Sequence, residues 1–335
     1  MPSPKLVFVD DSQPGIIRRK ARLGWHYFDT DGKRITDRDE IDRLNGVGMP
    51  PAYQDCWFCP RPHGHIQATG MDDRGRKQYR YHPDFRAARE AEKFDACADF
   101  GRALPAMRAR IERDLAKRGL GRDRTIAAVV RLLDLGKVRV GNECYAKTNR
   151  SYGATTLRRR HADLKGRTLK LSYRAKSGKM RTLAITDQLL LRFVRAVQDL
   201  SGQHLFQYLD EAGEAHSVSS SDVNAYIADA MGGPFTAKHF RTWGASVMAF
   251  ETLACADVSI KQMIAPVAEA LGNTPAMSRK SYVHPALVAL AKDGQALWRE
   301  GLRLPRATRY LSRHERGLIA FLDQLAQGET PRMAA

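Results

Sequence analysis

The sequence predicts an α+β protein in two parts: a small β-rich domain over residues 1–88, and a larger, mainly α-helical domain over 89–335 that carries a short antiparallel sheet. Three observations predict it. From Leu23 to Tyr81 the chain is aromatic and cut into short pieces by turn signals. From Asp84 onward apolar residues recur at spacings of three and four. Within that helical texture, RTLKLSYR and KMRTLAI alternate apolar and polar residues.

Taken in order, the Asp-Gly pair in GWHYFDTDGKRI marks a hairpin turn, and GMPPAY and CPRPHGHI are loop breakers. The texture changes near Asp84, which places the boundary at about residue 85–90. DFRAAREAEKFDACADFGRAL then reads as helix, followed by LPAMRARIERDLAKRG, where Pro105 suits a first helical turn because its missing N–H has no intrahelical acceptor there. Around AKSG the alternation puts Leu169, Leu171 and Tyr173 on one face and holds Lys176 to Gly178 in a tight turn, so a lysine projects from a hairpin tip. Helical texture resumes at Asp187 in DQLLLRFVRAVQDL and returns in SSDVNAYIADAM, TAKHFRTWGASVMAF, DVSIKQMIAPVAEAL and PALVALAKDGQALW. No internal repeat interrupts this order, and GETPRMAA looks like a frayed end.

At 335 residues with 43% hydrophobic side chains, the chain can fill one core or two. MPSPKLVF lacks the basic flank and apolar stretch of a secretory signal, and nothing approaches the ~18 apolar residues of a membrane span, so no membrane partner and a cytoplasmic, nucleoid-associated location are expected. The five cysteines are odd in number and scattered, which fits free thiols in a reducing compartment. Cys56 and Cys59 form a C-x-x-C without the further ligands of a zinc site and read as thiols on a strand. His63 and His65 likewise read as loop or strand residues. The formal charge of +18 points to a polyanion, and double-stranded DNA is the partner expected. Residues 1–90 hold 16 Lys and Arg against 13 Asp and Glu, so +15 of the excess falls on residues 91–335.

The chemistry is narrowed by what the sequence lacks. No compact D-x-D or E-x-K pattern suggests a magnesium clamp, and no G-x-x-x-x-G-K-[ST] loop suggests a nucleotide, so no metal and no cofactor are expected. A phosphodiester can still be broken by a side-chain hydroxyl if arginines and lysines neutralise the charge that builds on the non-bridging oxygens. Tyrosine suits this, since a phenol of pKa roughly 10 is both nucleophile and fair leaving group. Composition does not choose among the 11 tyrosines.

Six ordered blocks make the choice by resemblance: RVGNECYAKTNRSYGATTLRRRH, RAKSGK, LFQYLD, SSDVNAYI, FTAKHFRTW and LGNTPAMSRKSYVHP. In this order they resemble the type IB DNA topoisomerases of the bacterial, poxvirus-like branch. GHIQATGMDDRGRKQYRYHPDFR resembles that family's DNA-clamping domain, which separates the chain from the tyrosine recombinases. The resemblance implies a monomeric, C-shaped clamp on duplex DNA that nicks one strand, lets it rotate and religates, without ATP or metal. It implies that Tyr282 is the nucleophile, that Arg139 and Arg241 hold the non-bridging oxygens, that Lys176 is the general acid, and that Asn273 fills the remaining phosphate-contacting position. Three positions depart from the family pattern. Asn273 stands where many members have histidine; Lys238 precedes Arg241 by three residues where recombinases show histidine; and Ala175 precedes Lys176 where glycine is common, with Lys179 a rival for the lysine role.

In RKQYRYH the resemblance places Gln78, Tyr79 and Tyr81 in the DNA groove, among Arg76, Lys77 and Arg80 as phosphate cations; simple strand packing is the other reading of the two tyrosines. Arg158, Arg159 and Arg160 form the densest charge run, either a solvated helix face or a surface that tracks phosphates. A tyrosine recombinase acting at paired sites, and a basic DNA-binding protein without catalysis, are the competing functions.

Overall fold

Alternating strands build the first of two units, which ends at Glu92. The computed structural model describes residues 5–198, 200 and 202–328. In chain order this unit holds β1 (Ile16–Lys20), β2 (Trp25–Phe28), α1 (Arg38–Gly46), β3 (Gln54–Phe58), β4 (Ile66–Met71) and β5 (Lys77–Tyr81). The strands form one antiparallel sheet in the order β2-β1-β3-β4-β5, over a core of Ile16, Tyr27, Leu44, Met49, Cys56, Phe58 and Ala68. β4 is buried at five of its six positions, whereas β5 is an edge strand with most side chains exposed. The Asp31-Gly32 turn forms, but it closes only the single bridge between Phe28 and Arg34. The sequence reading also missed α1, although Asp37 caps it by accepting from the Asp39 amide, and Asp39 and Glu40 sit at its positive end.

The second unit starts at Lys93 and takes most of α2 (Pro83–Ala116), a single helix of 34 residues. Here the structure corrects the sequence: Pro105 lies inside the helix and does not start a new one. An interior proline costs about 3 kcal/mol. Phe100, Leu104 and Met107 around it are at most 1% exposed, and each such buried side chain returns roughly 1.5–3 kcal/mol. Packing therefore outweighs the break.

Next come α3 (Arg122–Gly136), α4 (Glu143–Asn149), β6 (Ala162–Lys165), β7 (Thr168–Arg174) and β8 (Met180–Ile185). The β7–β8 hairpin has the expected register, Leu169 opposite Ile185 and Arg174 opposite Met180, with Leu169, Leu171 and Tyr173 buried and a 3-10 turn at Lys176–Gly178. β6 adds a third strand on the other side of β7, too short for its alternation to be legible. The remaining elements are α5 (Gln188–Ala196), β9 (Gln207–Leu209), β10 (Ala215–Ser217), α6 (Ser220–Met231), α7 (Ala237–Cys255), α8 (Ile260–Leu271), α9 (Pro275–Ser281), α10 (Pro285–Leu290), α11 (Gln295–Gly301) and α12 (Arg313–Ala326). Asp187, Ser219, Ser259 and Ser312 cap α5, α6, α8 and α12.

α3 lies at the centre of this unit, with Ile126 to Val130, Leu132 and Leu133 buried. An ion network ties it to its neighbours: Arg108 on α2 pairs with Asp134 on α3 and Glu315 on α12, and Glu315 accepts from the Trp243 indole on α7. Among the described residues no helix is long and apolar enough to cross a membrane.

Gly101 on α2 lies against Trp243, whose ring occupies the space a Cβ would need. Gly101→Ala is expected to lower the free energy of unfolding by about 1–3 kcal/mol despite alanine's better helix propensity. Urea denaturation measures this, as a lower midpoint at unchanged slope.

Candidate functional site

The site is built where α3 and α8 end. α3 stops at Gly136 because Lys137 takes a left-handed conformation (φ 50°), and two residues later the chain presents Arg139. The Ala154 amide donates to the Arg139 carbonyl (2.8 Å), and the Thr155 amide and hydroxyl both donate to the Val140 carbonyl. Only glycine fits at position 153, since a Cβ there would collide with the Gly141 backbone and the Arg139 carbonyl. α8 stops in the same way at left-handed Gly272 (φ 62°), and Asn273 follows with its amide donating to the Ala268 carbonyl. Arg139 Nη2 then donates to Asn273 Oδ1 at 2.6 Å, joining residues 134 positions apart.

Arg241, on α7, is 3% exposed. Its Nη1 donates to the Lys137 carbonyl and its Nη2 to the Leu271 carbonyl, so one guanidinium bridges both helix ends. Its Cζ lies 4.9 Å from the centroid of the Tyr282 ring. Tyr282 follows α9 in a non-helical conformation (φ −134°, ψ −36°), with its backbone held from two sides. Ser246 Oγ on α7 donates to the Tyr282 carbonyl and accepts from the His284 amide, and Lys93 Nζ on α2 donates to the Ser281 carbonyl at 2.7 Å.

Two effects oppose each other at the Tyr282 phenol. Burial raises its pKa, but the Arg241 and Arg139 charges, with the Asn273 side chain beside them, outweigh burial, and the phenol titrates below its ordinary value. Burial pulls the Arg241 guanidinium down to about 10, so it stays cationic at neutral pH. Arg241 Nε and Asn273 Nδ2 are buried with no hydrogen-bond partner among the described residues. Unpaired buried donors of this kind destabilise a fold unless a further acceptor meets them.

The structure thus brings Arg139, Arg241, Asn273 and Tyr282 into one pocket. Lys176 is not among them. It stands exposed on the hairpin tip, as does Lys179, and the side chain of neither makes a hydrogen bond or ion pair among the described residues. Lys238 is exposed on the first turn of α7.

In the first unit, Tyr79 and Tyr81 are about two-fifths exposed on β5 and stack on each other, centroids 5.9 Å apart and planes 9° from parallel. They do not form a packed face. Arg76 and Lys77, read from sequence as phosphate cations, each meet a carboxylate: Arg76 pairs with Asp72 and Lys77 with Asp11, both at 2.6 Å. Gln78 Nε2 also donates to Asp72, while Arg80 is exposed. The Arg158–Arg160 run is not an α-helical face. It enters a 3-10 turn (Arg159–His161), with Arg158 bound to Glu143 and His204 and Arg159 to the carbonyls of Leu200 and Gln198. Arg160 is the exposed member and donates to the Tyr152 hydroxyl.

Among the described residues no group of three His, Cys, Asp or Glu is gathered as a metal cage. Cys56 and Cys59 are buried free thiols, and His65 Nδ1 accepts from the Val9 amide. Sequence reasoning missed Lys93, Ser246 and Arg181. For the first two no sequence signal exists. Arg181 did leave one, a charge in an inward slot of the alternating strand KMRTLAI.

Comparison with known proteins covers both units. Residues 82–282 match the family described as eukaryotic DNA topoisomerase I, catalytic core, and residues 24–72 match the bacterial DNA topoisomerase IB amino-terminal domain. The chain is 33% identical over 287 residues to the DNA topoisomerase 1B of Acanthamoeba polyphaga mimivirus, which covers 80% of this chain and 85% of that protein.

Because the Arg241 charge holds the phenol down against burial, Arg241→Gln is expected to raise the pKa of Tyr282. Tyrosinate absorbance, taken as the difference between each protein and its Tyr282→Phe counterpart, measures it. The sign in the parent protein follows from the lowered folded-state value. The folded phenol loses its proton before the unfolded one does, so this ionisation adds stability only as pH rises past the folded pKa, and the gain is lost as pH falls back through it.

Proposed function

The chain belongs to the type IB DNA topoisomerases, and on that premise we propose that it relaxes supercoiled duplex DNA through a transient bond between Tyr282 and a 3′ phosphate. The observation that carries this reading is the Tyr282 phenol lying against the Arg241 guanidinium, beside the Arg139–Asn273 pair. In the proposed step, Tyr282 Oη forms a bond to the scissile phosphorus as the bond to the 5′ oxygen breaks. The phenol's proton passes to water, and the departing 5′ oxygen takes a proton from the Lys176 ammonium and leaves as a 5′ hydroxyl. Arg139 and Arg241 meet the charge on the non-bridging oxygens of the five-coordinate transition state, for which guanidinium forks are suited because they stay charged and donate in pairs. Asn273 supplies an uncharged N–H that does not titrate.

The phosphotyrosyl bond conserves the energy of the phosphodiester. Religation then needs no nucleotide, and torsional strain in the DNA drives net relaxation. No step calls on a metal, because the positive charge that stabilises the transition state is carried by side chains. Lys176 sits on a hairpin tip with no internal partner, which suits a lysine that delivers its proton once DNA is bound. On this reading the protein acts as a monomer, and Tyr79, Tyr81, Gln78 and Arg80 of the first unit reach the groove. The competing recombinase reading needs paired sites and a synapse, and the match of residues 24–72 to a topoisomerase domain speaks against it.

Relaxation of a plasmid without special sites is expected to proceed in EDTA with no nucleotide, and Tyr282→Phe is expected to bind DNA yet form no adduct. Arg139→Ala and Arg241→Ala should each slow single-turnover cleavage by about 10²–10³, and Lys176→Ala by about 10²–10⁴. Loss of activity on chelation, or an adduct peptide that does not contain Tyr282, would overturn the reading.

A further inference from the structure

Arg181 is a second buried guanidinium at the same helix ends. It is 8% exposed on β8, where the alternation turns positions 181 and 185 inward. Its Nη2 donates to the Gly136 carbonyl at 2.8 Å and to the Ala270 carbonyl at 2.5 Å. Arg241 takes the next carbonyl along on each side, Lys137 and Leu271. Two arginines from different elements therefore bridge α3 to α8 in consecutive register. Carbonyls at a helix C-terminus have no intrahelical donor and carry the negative end of the dipole, so a cationic group that donates to two of them is well matched, Arg241 through both terminal nitrogens and Arg181 through Nη2 alone.

Gly136 lies three residues before Arg139, and Ala270 three residues before Asn273. We propose that Arg181 is a positioning residue of the phosphate site: it sets the separation of the two helix ends so that Arg139 and Asn273 meet with their remaining donors turned to one phosphate. The inference rests on the reading of the Tyr282 pocket as the DNA cleavage site.

Three further points accompany it. Burying a charge costs more than burying an apolar side chain of the same size, so the slot would be filled more cheaply by leucine if only packing were required. Arg181 also lies within electrostatic reach of the site: burial lowers its pKa, the Tyr173 phenol opposes this, and the Arg139 charge adds to the lowering. Left-handed Gly272, one residue before Asn273, keeps the space beside the guanidinium open, since a Cβ there would lie 3.1 Å from Arg181 Nη1.

The test uses the full chain with Arg181→Ala and Arg181→Lys, in single-turnover cleavage of a duplex, equilibrium binding of the same duplex and thermal melting. Misplacing reacting groups by about 1 Å costs on the order of 10²-fold in rate. Arg181→Ala is expected to cleave about that much more slowly while binding DNA as tightly as the parent, and free guanidinium ion is expected to restore part of the rate. Arg181→Lys keeps the charge but replaces the planar Nη2 donor by a tetrahedral ammonium on a shorter stem, and should be slow as well. In combination with Asn273→Ala, the loss should be smaller than the product of the single losses, as for residues acting through one another. The inference is overturned if either folded variant cleaves at the parental rate, if guanidinium ion restores nothing in Arg181→Ala, or if the losses multiply. Should Arg181→Ala fail to fold, the rate of Arg181→Lys decides. A parent protein that forms no adduct would sink the cleavage reading itself, whereas a parent that does so alongside an equally fast Arg181 variant sinks only the positioning role.

Discussion

Three guanidiniums, those of Arg139, Arg181 and Arg241, sit close enough in a mostly buried pocket for their charges to act on one another, and like charges in a low-dielectric interior repel unless something negative faces them. The chain meets this constraint with backbone. α3 and α8 end side by side, and the four carbonyls of Gly136, Lys137, Ala270 and Leu271 each accept from Arg181 or Arg241. Neither helix can end elsewhere without loss of these bonds. The left-handed turns at Lys137 and Gly272 are thus tied to the positions of Arg139 and Asn273. What the carbonyls leave unmet is a set of donors around Tyr282, and a phosphodiester in the duplex carries the charge that complements them.

The nucleophile is placed by a different device. Tyr282 lies outside regular helix, so its position depends on the grip on its backbone. Ser246 donates to its carbonyl and accepts from the His284 amide two residues on, and Lys93 donates to the carbonyl of the residue before it. Both clamping groups are themselves buried, Ser246 at 0% and Lys93 at 8% exposure, which keeps their hydrogen bonds from exchanging with water. The arginine that lies against the phenol sits on the same helix as Ser246, so α7 positions the backbone and tunes the hydroxyl together.

Charge on the surface behaves differently from charge in the pocket. The net +18 reads as a polyanion footprint, yet several cations of the densest runs are engaged close by and are not the ones that carry it. Arg76 and Lys77 have carboxylate partners, Arg158 has Glu143, and Arg159 holds backbone carbonyls. The cations left exposed and without a carboxylate partner, among them Lys176, Lys179, Arg160 and Lys238, are scattered over several elements. Sequence proximity to other arginines is therefore a poor guide to which cation is available, because a nearby carboxylate removes one from the count at short range.

Local periodicity by itself determined the α+β class, the β7–β8 hairpin with Leu169, Leu171 and Tyr173 inward, and the helices α5 to α8, with α10 and α11 read as one stretch and α9 and α12 not read, since a repeat of two or of three to four residues is written along the chain wherever one face is buried. The ordered motif blocks likewise named Arg139, Arg241, Asn273 and Tyr282, residues that the fold does bring together. Tertiary structure alone decided that α2 runs through Pro105, that β6 completes the small sheet, that Arg76 and Lys77 face carboxylates, and that Arg181 and Arg241 share the ends of α3 and α8. The physical reason is common to all four. Each is an energy balance among packed groups, whether four residues apart, as Arg76 and Asp72 are, or far along the chain, and such a balance has no value until packing has put the partners within a few ångströms of each other.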